Sequence, residues 1–263
     1  MSLKENRVKK ALQGGKICLG TMVSTFRSPQ IVQMFAAAGW DYFIMDTEHS
    51  FFDYGPLADI LTVARTEEIV PIVRVTANTY PFLSRALDVG SMGVICPHVE
   101  TPEDVRLILD SCLYYPLGQR GLSMSNIHLA HRGVTQKEYV EWANANTLIV
   151  IQPETQKAID NIEKLVSIPG VDAVMIGPND LSLSLGIVGQ FKHPDMVAAF
   201  EAVIAACNKY RVAPGIHLTD LEQAKEWLGR GMRFFTFQND VRFLLEGAKA
   251  ATRQLRQLTS DKP

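Results

Sequence analysis

Residues 147–184 contain the pattern that most restricts how this chain can fold. Two short apolar runs, 148–151 and 173–176, each lead into a polar turn and then into a helical pattern. This strand–helix–strand–helix order predicts two parallel strands, because parallel neighbours need a long crossover connection, usually a helix. The turns that follow the two strands then lie on one side of the sheet, so we expect Glu154 and Asp180 to be neighbours there.

The same alternation continues along the whole chain. Apolar runs predict eight strands, at residues 17–23, 42–45, 70–75, 93–96, 148–151, 173–176, 212–217 and 234–237. The main helical patterns cover residues 4–12, 29–38, 56–66, 80–89, 102–113, 135–145, 194–210, 220–228 and 241–258. Eight βα units in about 250 residues are typical of a (β/α)8 TIM barrel, so we predict an α/β fold of this class in a single domain, residues 1–263. An open doubly wound sheet is the alternative, but the strand count and the lack of a G-x-G-x-x-G turn favour the barrel.

Composition excludes several functional classes. The net charge of −2 offers no basic surplus for nucleic acid or for an anionic membrane. No apolar run approaches the roughly 18 residues of a membrane span, and the first residues lack an apolar signal core, so we expect a cytoplasmic protein. The four cysteines (Cys18, Cys96, Cys112 and Cys207) form no C-x-x-C pair and are predicted to be reduced, buried side chains.

Two segments are longer than ordinary loops, residues 114–131 and residues 185–194. The first is rich in Gly, Ser and Asn. Long loops on the active face of a barrel are usually lids or substrate-binding loops, and we expect that role for both segments.

Polar residues at the carboxyl ends of barrel strands form active sites, because the barrel interior itself is packed with apolar side chains. The candidates at these positions are Asp46, Glu48, His49, Arg74, His98, Gln152, Glu154, Asp180 and His217. Together they offer carboxylates for a metal ion, an arginine for developing negative charge and a histidine near an acid as a base. Each also has an ordinary structural interpretation, as a helix N-terminal acid, a residue of a solvated turn or one partner of an ion pair.

Six motifs in a fixed order carry a family resemblance. They are D-T-E-H-S at 46–50, P-I-V-R-V at 71–75, A-L-D-V-G at 86–90, Y-x-P-x-G-x-R-G at 114–121, I-Q-P-E-T at 151–155 and I-G-P-N-D-L-S at 176–182. From about Gly20 to Gly231 the sequence resembles the HpcH/HpaI family of class II, metal-dependent pyruvate aldolases. The resemblance implies a barrel of the phosphoenolpyruvate/pyruvate type, a homohexamer in which neighbouring subunits exchange the last helix, and a role in the catabolism of aromatic compounds or sugar acids.

The activity that the resemblance implies is reversible cleavage of a 4-hydroxy-2-oxo acid to pyruvate and an aldehyde. The cofactor would be a divalent metal ion, Mg²⁺, Mn²⁺ or Co²⁺, bound by Glu154 and Asp180. Arg74 would bind the keto oxygen and stabilise the enolate of pyruvate. His49, paired with Asp46, would be the base that acts on the C4 hydroxyl group. The candidate strand ends carry no lysine for a Schiff base, which argues against a class I aldolase.

The resemblance also implies which residues bind substrate. Gln152 would lie beside the metal ligands, and the turn formed by Gly177, Pro178, Asn179 and Asp180 would hold the pyruvate carboxylate through backbone N–H groups at a helix start. Asp88 corresponds to an acid that approaches the active site of a neighbouring subunit.

Some residues depart from those common in the family, among them His98, Pro153 and Asn179. None of these changes removes a predicted ligand, so they concern substrate preference more than chemistry.

Alternatives on the same fold are oxaloacetate decarboxylation, a macrophomate-synthase-like reaction and citrate-lyase-like cleavage of CoA thioesters, although the rim loops carry no Lys/Arg cluster for a nucleotide. The non-enzymatic alternative is a barrel that binds a keto acid as a sensor, and the intact candidate residues count against it.

Overall fold

The computed structural model describes residues 3–129 and 133–260. Its strands are β1 (Cys18–Val23), β2 (Tyr42–Asp46), β3 (Val70–Arg74), β4 (Gly93–Cys96), β5 (Leu148–Ile151), β6 (Ala173–Ile176), β7 (Ala213–Leu218) and β8 (Phe234–Asn239). Its helices are α1 (Arg7–Gln13), α2 (Gln30–Ala37), α3 (Tyr54–Ala64), α4 (Tyr80–Asp88), α5 (Pro102–Cys112), α6 (Gln136–Asn146), α7 (Gln156–Asp160), α8 (Ile162–Val166), α9 (Pro178–Ser184), α10 (Pro194–Tyr210), α11 (Leu221–Gly229) and α12 (Asp240–Ser260).

The strands close into a barrel. Each strand pairs in parallel with the next one along the chain, and β8 pairs in parallel with β1. Helices connect successive strands, so the predicted (β/α)8 TIM barrel is confirmed. The bounds of β4, β5 and β6 are those predicted, whereas β8 continues two residues further, to Asn239, because it stays paired with β1 there.

Side chains that alternate along each strand divide the core into two layers. On β2, Tyr42 points into the barrel, whereas Phe43 packs outward against the helices. The Tyr42 ring stacks on Phe234 of β8, with 4.5 Å between the ring centroids. Gly20 of β1 makes room for this pair, because a Cβ atom there would lie 2.2 Å from the Tyr42 ring. The barrel interior is therefore a packed core, and polar side chains lie at the strand ends.

The amino-terminal helix covers the lower end of the barrel. Val8 and Leu12 of α1 belong to the same apolar cluster as the inward-facing strand residues. Asn6 caps the helix, because its side chain accepts a hydrogen bond from the backbone N–H of Lys9. This cap starts the helix at Arg7, three residues later than predicted.

The carboxyl-terminal helix α12 is attached to the barrel of its own chain through its first turns. The Asp240 carboxylate accepts hydrogen bonds from the backbone N–H groups of residues 24–26, and Phe243 packs edge-on against Phe35. Exchange of this helix between subunits stays a prediction. Within residues 3–129 and 133–260 no helix, α12 included, has the length and apolar character of a membrane-spanning segment.

Residues 185–194 and residues 114–129, the described part of the other long segment, lie at opposite ends of the barrel. Residues 185–194 follow the short helix α9 at the carboxyl ends of the strands, and Phe191 lines the cavity there. Residues 114–129 instead follow α5, which returns the chain to the amino-terminal ends of the strands. The expected position of the segment 114–131 on the active face of its own barrel is therefore wrong for residues 114–129, and residues 130 and 131 lie outside the described residues.

Candidate active site

Most of the predicted site residues meet where the strands end. Asp46 and Arg74 are the last residues of β2 and β3, and Gln152 and Glu154 follow β5. A cavity of about 320 Å³ opens beside them. The predicted residues that line it are His49, Arg74, Gln152, Gly177, Pro178, Asn179, Asp180 and His217.

Arg74 is held by two carboxylates. Its Nε and Nη2 atoms donate to the two oxygens of Asp46, at 2.9 and 2.8 Å, and its Nη1 atom lies 3.1 Å from Oε2 of Glu48. Burial alone would lower the pKa of Arg74, but the hydrogen bonds and negative charge of Asp46 raise it above its ordinary value. The guanidinium is thus a fixed positive charge at the edge of the cavity.

Glu48 lies between two charged neighbours of opposite sign. Burial raises the pKa of its carboxyl group, the Arg74 guanidinium opposes this shift, and the nearby Glu154 carboxylate adds to it. Although Oε2 of Glu48 is close to Arg74, this buried atom accepts no hydrogen bond of good geometry from the described residues. A cation between the carboxylates of Glu48 and Glu154 would offset the repulsion between them.

His98 links these two carboxylates. Its Nε2 atom lies 3.2 Å from Oε1 of Glu48, and its Nδ1 atom lies 3.0 Å from Oε1 of Glu154. The backbone N–H of His98 also donates to Oε1 of Glu154, at 2.8 Å. The residue adopts φ of 54°, a left-handed conformation that is uncommon outside glycine and that recurs at functional sites.

Glu154 itself is almost fully buried and is fixed at both oxygens. Nε2 of Gln152 donates to its Oε2 atom at 2.6 Å, while His98 contacts its Oε1 atom. Gly177 leaves the space for this carboxylate, because a Cβ atom at that position would lie 2.5 Å from Oε2 of Glu154. The glycine predicted to bind substrate therefore also shapes the position of the proposed ligand.

The donor set fits a divalent metal ion. In the described part of the chain, one group of three potential ligands, Glu48, His98 and Glu154, has its ligand atoms within 4.8 Å of one another. The buried Oε1 atom of Gln152 accepts no hydrogen bond from the described residues, which leaves an acceptor free for a ligand or a bound water. Asp180 is outside this group, but it lines the cavity from the first turn of α9. Its role as the partner of Glu154 in metal binding stays a prediction.

The structure corrects the expected pairing of His49 with Asp46. The Asp46 carboxylate is occupied by Arg74 and by the backbone N–H groups of Glu48 and His49. The exposed His49 ring instead lies 3.9 Å from Oε2 of Glu48. The cause is the register of the sheet, since Asp46 and Arg74 are direct neighbours on β2 and β3 and a guanidinium matches a carboxylate at two points.

Asp88 lies away from the cavity of its own chain. It ends α4, which runs antiparallel to the strands and so brings this residue to the amino-terminal end of the barrel. There its carboxylate accepts a hydrogen bond from Nη2 of the buried Arg120, at 2.6 Å. Any catalytic role of Asp88 would therefore need a neighbouring subunit, as the sequence resemblance implies.

Sequence reasoning placed Glu48, His98 and His217 at the strand ends but gave them no role. Their positions at the strand ends indicated a role, but the contact between His98 and Glu48 depends on side-chain conformations that no motif describes. His217 lines the cavity from β7, and burial lowers its pKa to about 4, with the Arg74 charge acting in the same direction.

A family model described as HpcH/HpaI aldolase/citrate lyase matches residues 22–246. The chain belongs to this family. The match runs from β1 into α12 and so includes the whole rim of the barrel. The resemblance seen in the six motifs is confirmed, and the chain is an enzyme, a carbon–carbon lyase of the aldolase type.

Individual members of the HpcH/HpaI family are similar over nearly their full length. The 2-dehydro-3,6-dideoxy-6-sulfogluconate aldolase of Pseudomonas putida is 34% identical over 230 residues, 88% of this chain and 89% of the relative. The hydroxypyruvate/pyruvate aldolase of Roseobacter denitrificans is 31% identical over 96% of this chain and 98% of its own length. The solved structure of an HpcH/HpaI aldolase from Desulfitobacterium hafniense DCB-2 superposes with a TM-score of 0.91 at 32% identity, covering 97% of this chain and 99% of that one.

Proposed function

We propose that this enzyme is a divalent-metal-dependent pyruvate aldolase that reversibly cleaves a 4-hydroxy-2-oxo acid to pyruvate and an aldehyde. The observation that carries the proposal is the arrangement around Arg74, a guanidinium held by the carboxylates of Asp46 and Glu48 at the edge of a small cavity that Asp180 and Gln152, the hydrogen-bond partner of Glu154, also line. The names of the relatives, a sulfogluconate aldolase and a hydroxypyruvate/pyruvate aldolase, support the same reaction class.

The proposed metal ligands are Glu154 and Asp180, with His98 and Glu48 next to Glu154. Carboxylate oxygens are the donors that Mg²⁺ and Mn²⁺ prefer, and Co²⁺ accepts the same set. When bound, the cation supplies Lewis-acid chemistry, polarising the keto group and stabilising negative charge on the pyruvate fragment. Gln152 and the turn Gly177, Pro178, Asn179 and Asp180 would hold the rest of the pyruvate fragment in the cavity.

Arg74 would stabilise the charge that develops on the keto oxygen. Two of its five N–H groups donate to Asp46, so the second N–H of Nη2 and the N–H groups of Nη1, which faces Glu48, remain for substrate. A cation fixed before the substrate arrives needs no reorganisation during the reaction, which is the property that makes such donors effective.

His49 would act as the general base. Its imidazole would take the proton of the C4 hydroxyl group, the C3–C4 bond would break, and the bonding electrons would pass through C3 to the keto oxygen. The aldehyde leaves with the new C=O bond, and the enolate of pyruvate then takes a proton at C3. The position of the exposed His49 ring on the cavity wall, beside Glu48, supports this assignment.

The whole chain would serve as one catalytic domain in a cytoplasmic homo-oligomer, a hexamer by family resemblance. Four buried cysteines without disulfide partners suit a reducing compartment. Exposed leucines on α12, including Leu244, Leu255 and Leu258, suit a helix that another subunit covers. Light scattering after gel filtration measures the number of subunits directly.

The reaction is tested by pyruvate release from a series of 4-hydroxy-2-oxo acids, measured with a lactate dehydrogenase couple. Chelated protein should release no pyruvate, and added Mg²⁺, Mn²⁺ or Co²⁺ should restore release in the native enzyme but not in Glu154→Gln. Oxaloacetate decarboxylation without any aldol cleavage would support the decarboxylase alternative. Failure with every metal and every substrate would contradict the proposal.

A further inference from the structure

His217 occupies the uppermost inward-facing position of β7. Its neighbours Ile216 and Leu218 belong to the outer apolar cluster, so strand alternation turns the imidazole toward the barrel axis. Below it on the same face, Gly215 carries no side chain. The ring is therefore at the floor of the cavity, and its partly exposed surface faces the space that Arg74 and Asn179 also line.

The backbone of Gln238 on β8 indicates which ring nitrogen of His217 carries the proton. Its contact with the ring favours the protonated form, as a carbonyl acceptor does, so the nitrogen that faces it is the one suited to hold the N–H. Gln238 has a left-handed φ of 56°, and its buried side chain is bonded to Glu246. In an uncharged imidazole the second nitrogen is a hydrogen-bond acceptor, and it is the atom left for the cavity.

The charge state of the ring follows from its neighbours. Burial and the Arg74 guanidinium both disfavour an imidazolium ion, and the Asp46 carboxylate, which would favour it, is already paired with Arg74. His217 is thus a poor partner for a carboxylate or phosphate group. The acceptor nitrogen of the neutral ring suits a hydrogen-bond donor without charge, and a hydroxyl group is the simplest such donor.

Other polar side chains lie on the same wall. Thr219 follows β7, Asn239 ends β8 and Gln223 reaches the cavity from α11, whereas Met175 and Phe200 line other parts of it. The cavity therefore has a hydrogen-bonding side next to β7 and β8, beside the proposed pyruvate-binding turn after β6.

We propose that this side of the cavity binds the aldehyde half of the substrate and that His217 accepts a hydrogen bond from a hydroxyl group on the carbon next to the aldehyde carbonyl. The enzyme would then select 2-hydroxyaldehydes over aldehydes that lack the hydroxyl group. A buried acceptor left without a donor is destabilising, which is how a site discriminates against the deoxy analogue. This inference rests on the proposed aldolase function.

The experiment compares aldol addition of pyruvate to glycolaldehyde and to acetaldehyde, as the ratio of the two kcat/KM values. We expect the native enzyme to favour glycolaldehyde by about tenfold or more, since a site built around a substrate hydroxyl group discriminates at least this strongly. His217→Leu should reduce the ratio toward one, and His217→Gln, which keeps an acceptor oxygen, should retain part of it. His193→Leu, the same substitution at a histidine outside the cavity, is the matched control and should keep the ratio within about threefold.

Two outcomes overturn the inference: a native enzyme that does not favour glycolaldehyde, or a His217→Leu ratio equal to the native one. The first needs no variant, so poor folding of His217→Leu leaves the test intact, and His217→Gln provides a second variant. Failure of the aldolase proposal is recognised separately, because a native enzyme that neither exchanges the methyl protons of pyruvate nor adds it to either aldehyde lacks the chemistry altogether.

Discussion

Arg74 and Asp46 are direct partners in the parallel register of β2 and β3, and their side chains form a two-point ion pair through Nε–Oδ1 and Nη2–Oδ2 contacts of 2.9 and 2.8 Å. Because the backbone sets both residues side by side at the strand ends, the guanidinium is oriented by the sheet itself. The same geometry removes Asp46 from direct contact with the His49 ring. Asp46 is thus a residue that positions Arg74.

Asp46→Asn tests this positioning role. The change leaves the Arg74 charge buried with Glu48 as its remaining carboxylate, so we expect the free energy of unfolding to fall by about 3 kcal/mol, as when one partner of a buried ion pair is removed. Urea denaturation at pH 7.5 measures the loss. Glu103→Gln, which breaks the exposed pair between Glu103 and Arg106, should change stability by less than about 1 kcal/mol. Equal effects of the two changes would show that the Asp46 pair has no special structural role.

Gly177→Ala should reduce turnover without unfolding the barrel. The added Cβ atom would lie 2.5 Å from Oε2 and 3.3 Å from Cβ of Glu154, so the carboxylate has to move. We expect kcat/KM for aldol cleavage to fall by about 100-fold, the loss that a small misplacement of a catalytic group produces. In Gly229→Ala the added Cβ atom meets nothing within 4 Å, and native kinetics are expected. Native activity in Gly177→Ala would mean that the position of Glu154 is not critical.

His98 should support metal binding through Glu154. Its ring and its backbone N–H both contact Oε1 of Glu154, so His98→Ala removes one of the two contacts at this oxygen of the proposed ligand. We expect the Kd for Mn²⁺, followed by electron paramagnetic resonance without substrate, to rise by about 10- to 100-fold. His193→Asn, at the cap of α10, is the control and should leave the Kd as it is. An unaltered Kd in His98→Ala would assign His98 to substrate contacts only.

The stability of the fold should depend on pH through His128. Its Nε2 atom lies 3.0 and 3.1 Å from the carbonyl oxygens of Leu87 and Ser91, and burial lowers its pKa to about 4, with Arg120 contributing. In the unfolded chain the pKa is about 6.5. The neutral ring therefore contributes stability fully above pH 6.5, and this contribution is lost as the pH falls toward 4, because the unfolded chain binds the proton first.

Urea denaturation between pH 7.5 and 4.5 measures this dependence. His128→Gln keeps a donor for the two carbonyl groups but does not titrate, so its stability should decline less on acidification, by up to about 3 kcal/mol relative to the native protein. Parallel pH profiles of the native protein and the variant would contradict the assignment.

The order of strands and helices was enough to predict the barrel from the sequence, and with it the residues that lie at the carboxyl ends of the strands. Each short apolar run followed by a helical pattern specifies one βα unit, and eight such units can close only by placing all strand ends on one face. This argument places Arg74, Gln152 and Asp180 at the same end of the barrel, and all three line the cavity there.

What sequence could not supply were contacts that depend on local backbone and side-chain geometry. The link between Glu48 and Glu154 needs the left-handed conformation of His98, which no propensity of histidine indicates. The side chain that pairs with Asp46 is set by the register between β2 and β3, which the sequence does not show. The segment 114–129 looked like an active-site loop by composition, but the direction of α5 puts it at the other end of the barrel.

The central claim is that metal and Arg74 together stabilise the enolate of pyruvate, and proton exchange at the pyruvate methyl group in D₂O tests it without any aldehyde. By NMR, the metal-replete native enzyme should exchange these protons, chelation should stop the exchange, and Arg74→Ala should slow it by at least about 100-fold, as for loss of a fixed donor to a developing oxyanion. Arg106→Ala, at an exposed arginine of α5, should exchange at the native rate. Exchange that is absent from the native enzyme, or that persists unchanged in Arg74→Ala, would contradict the account.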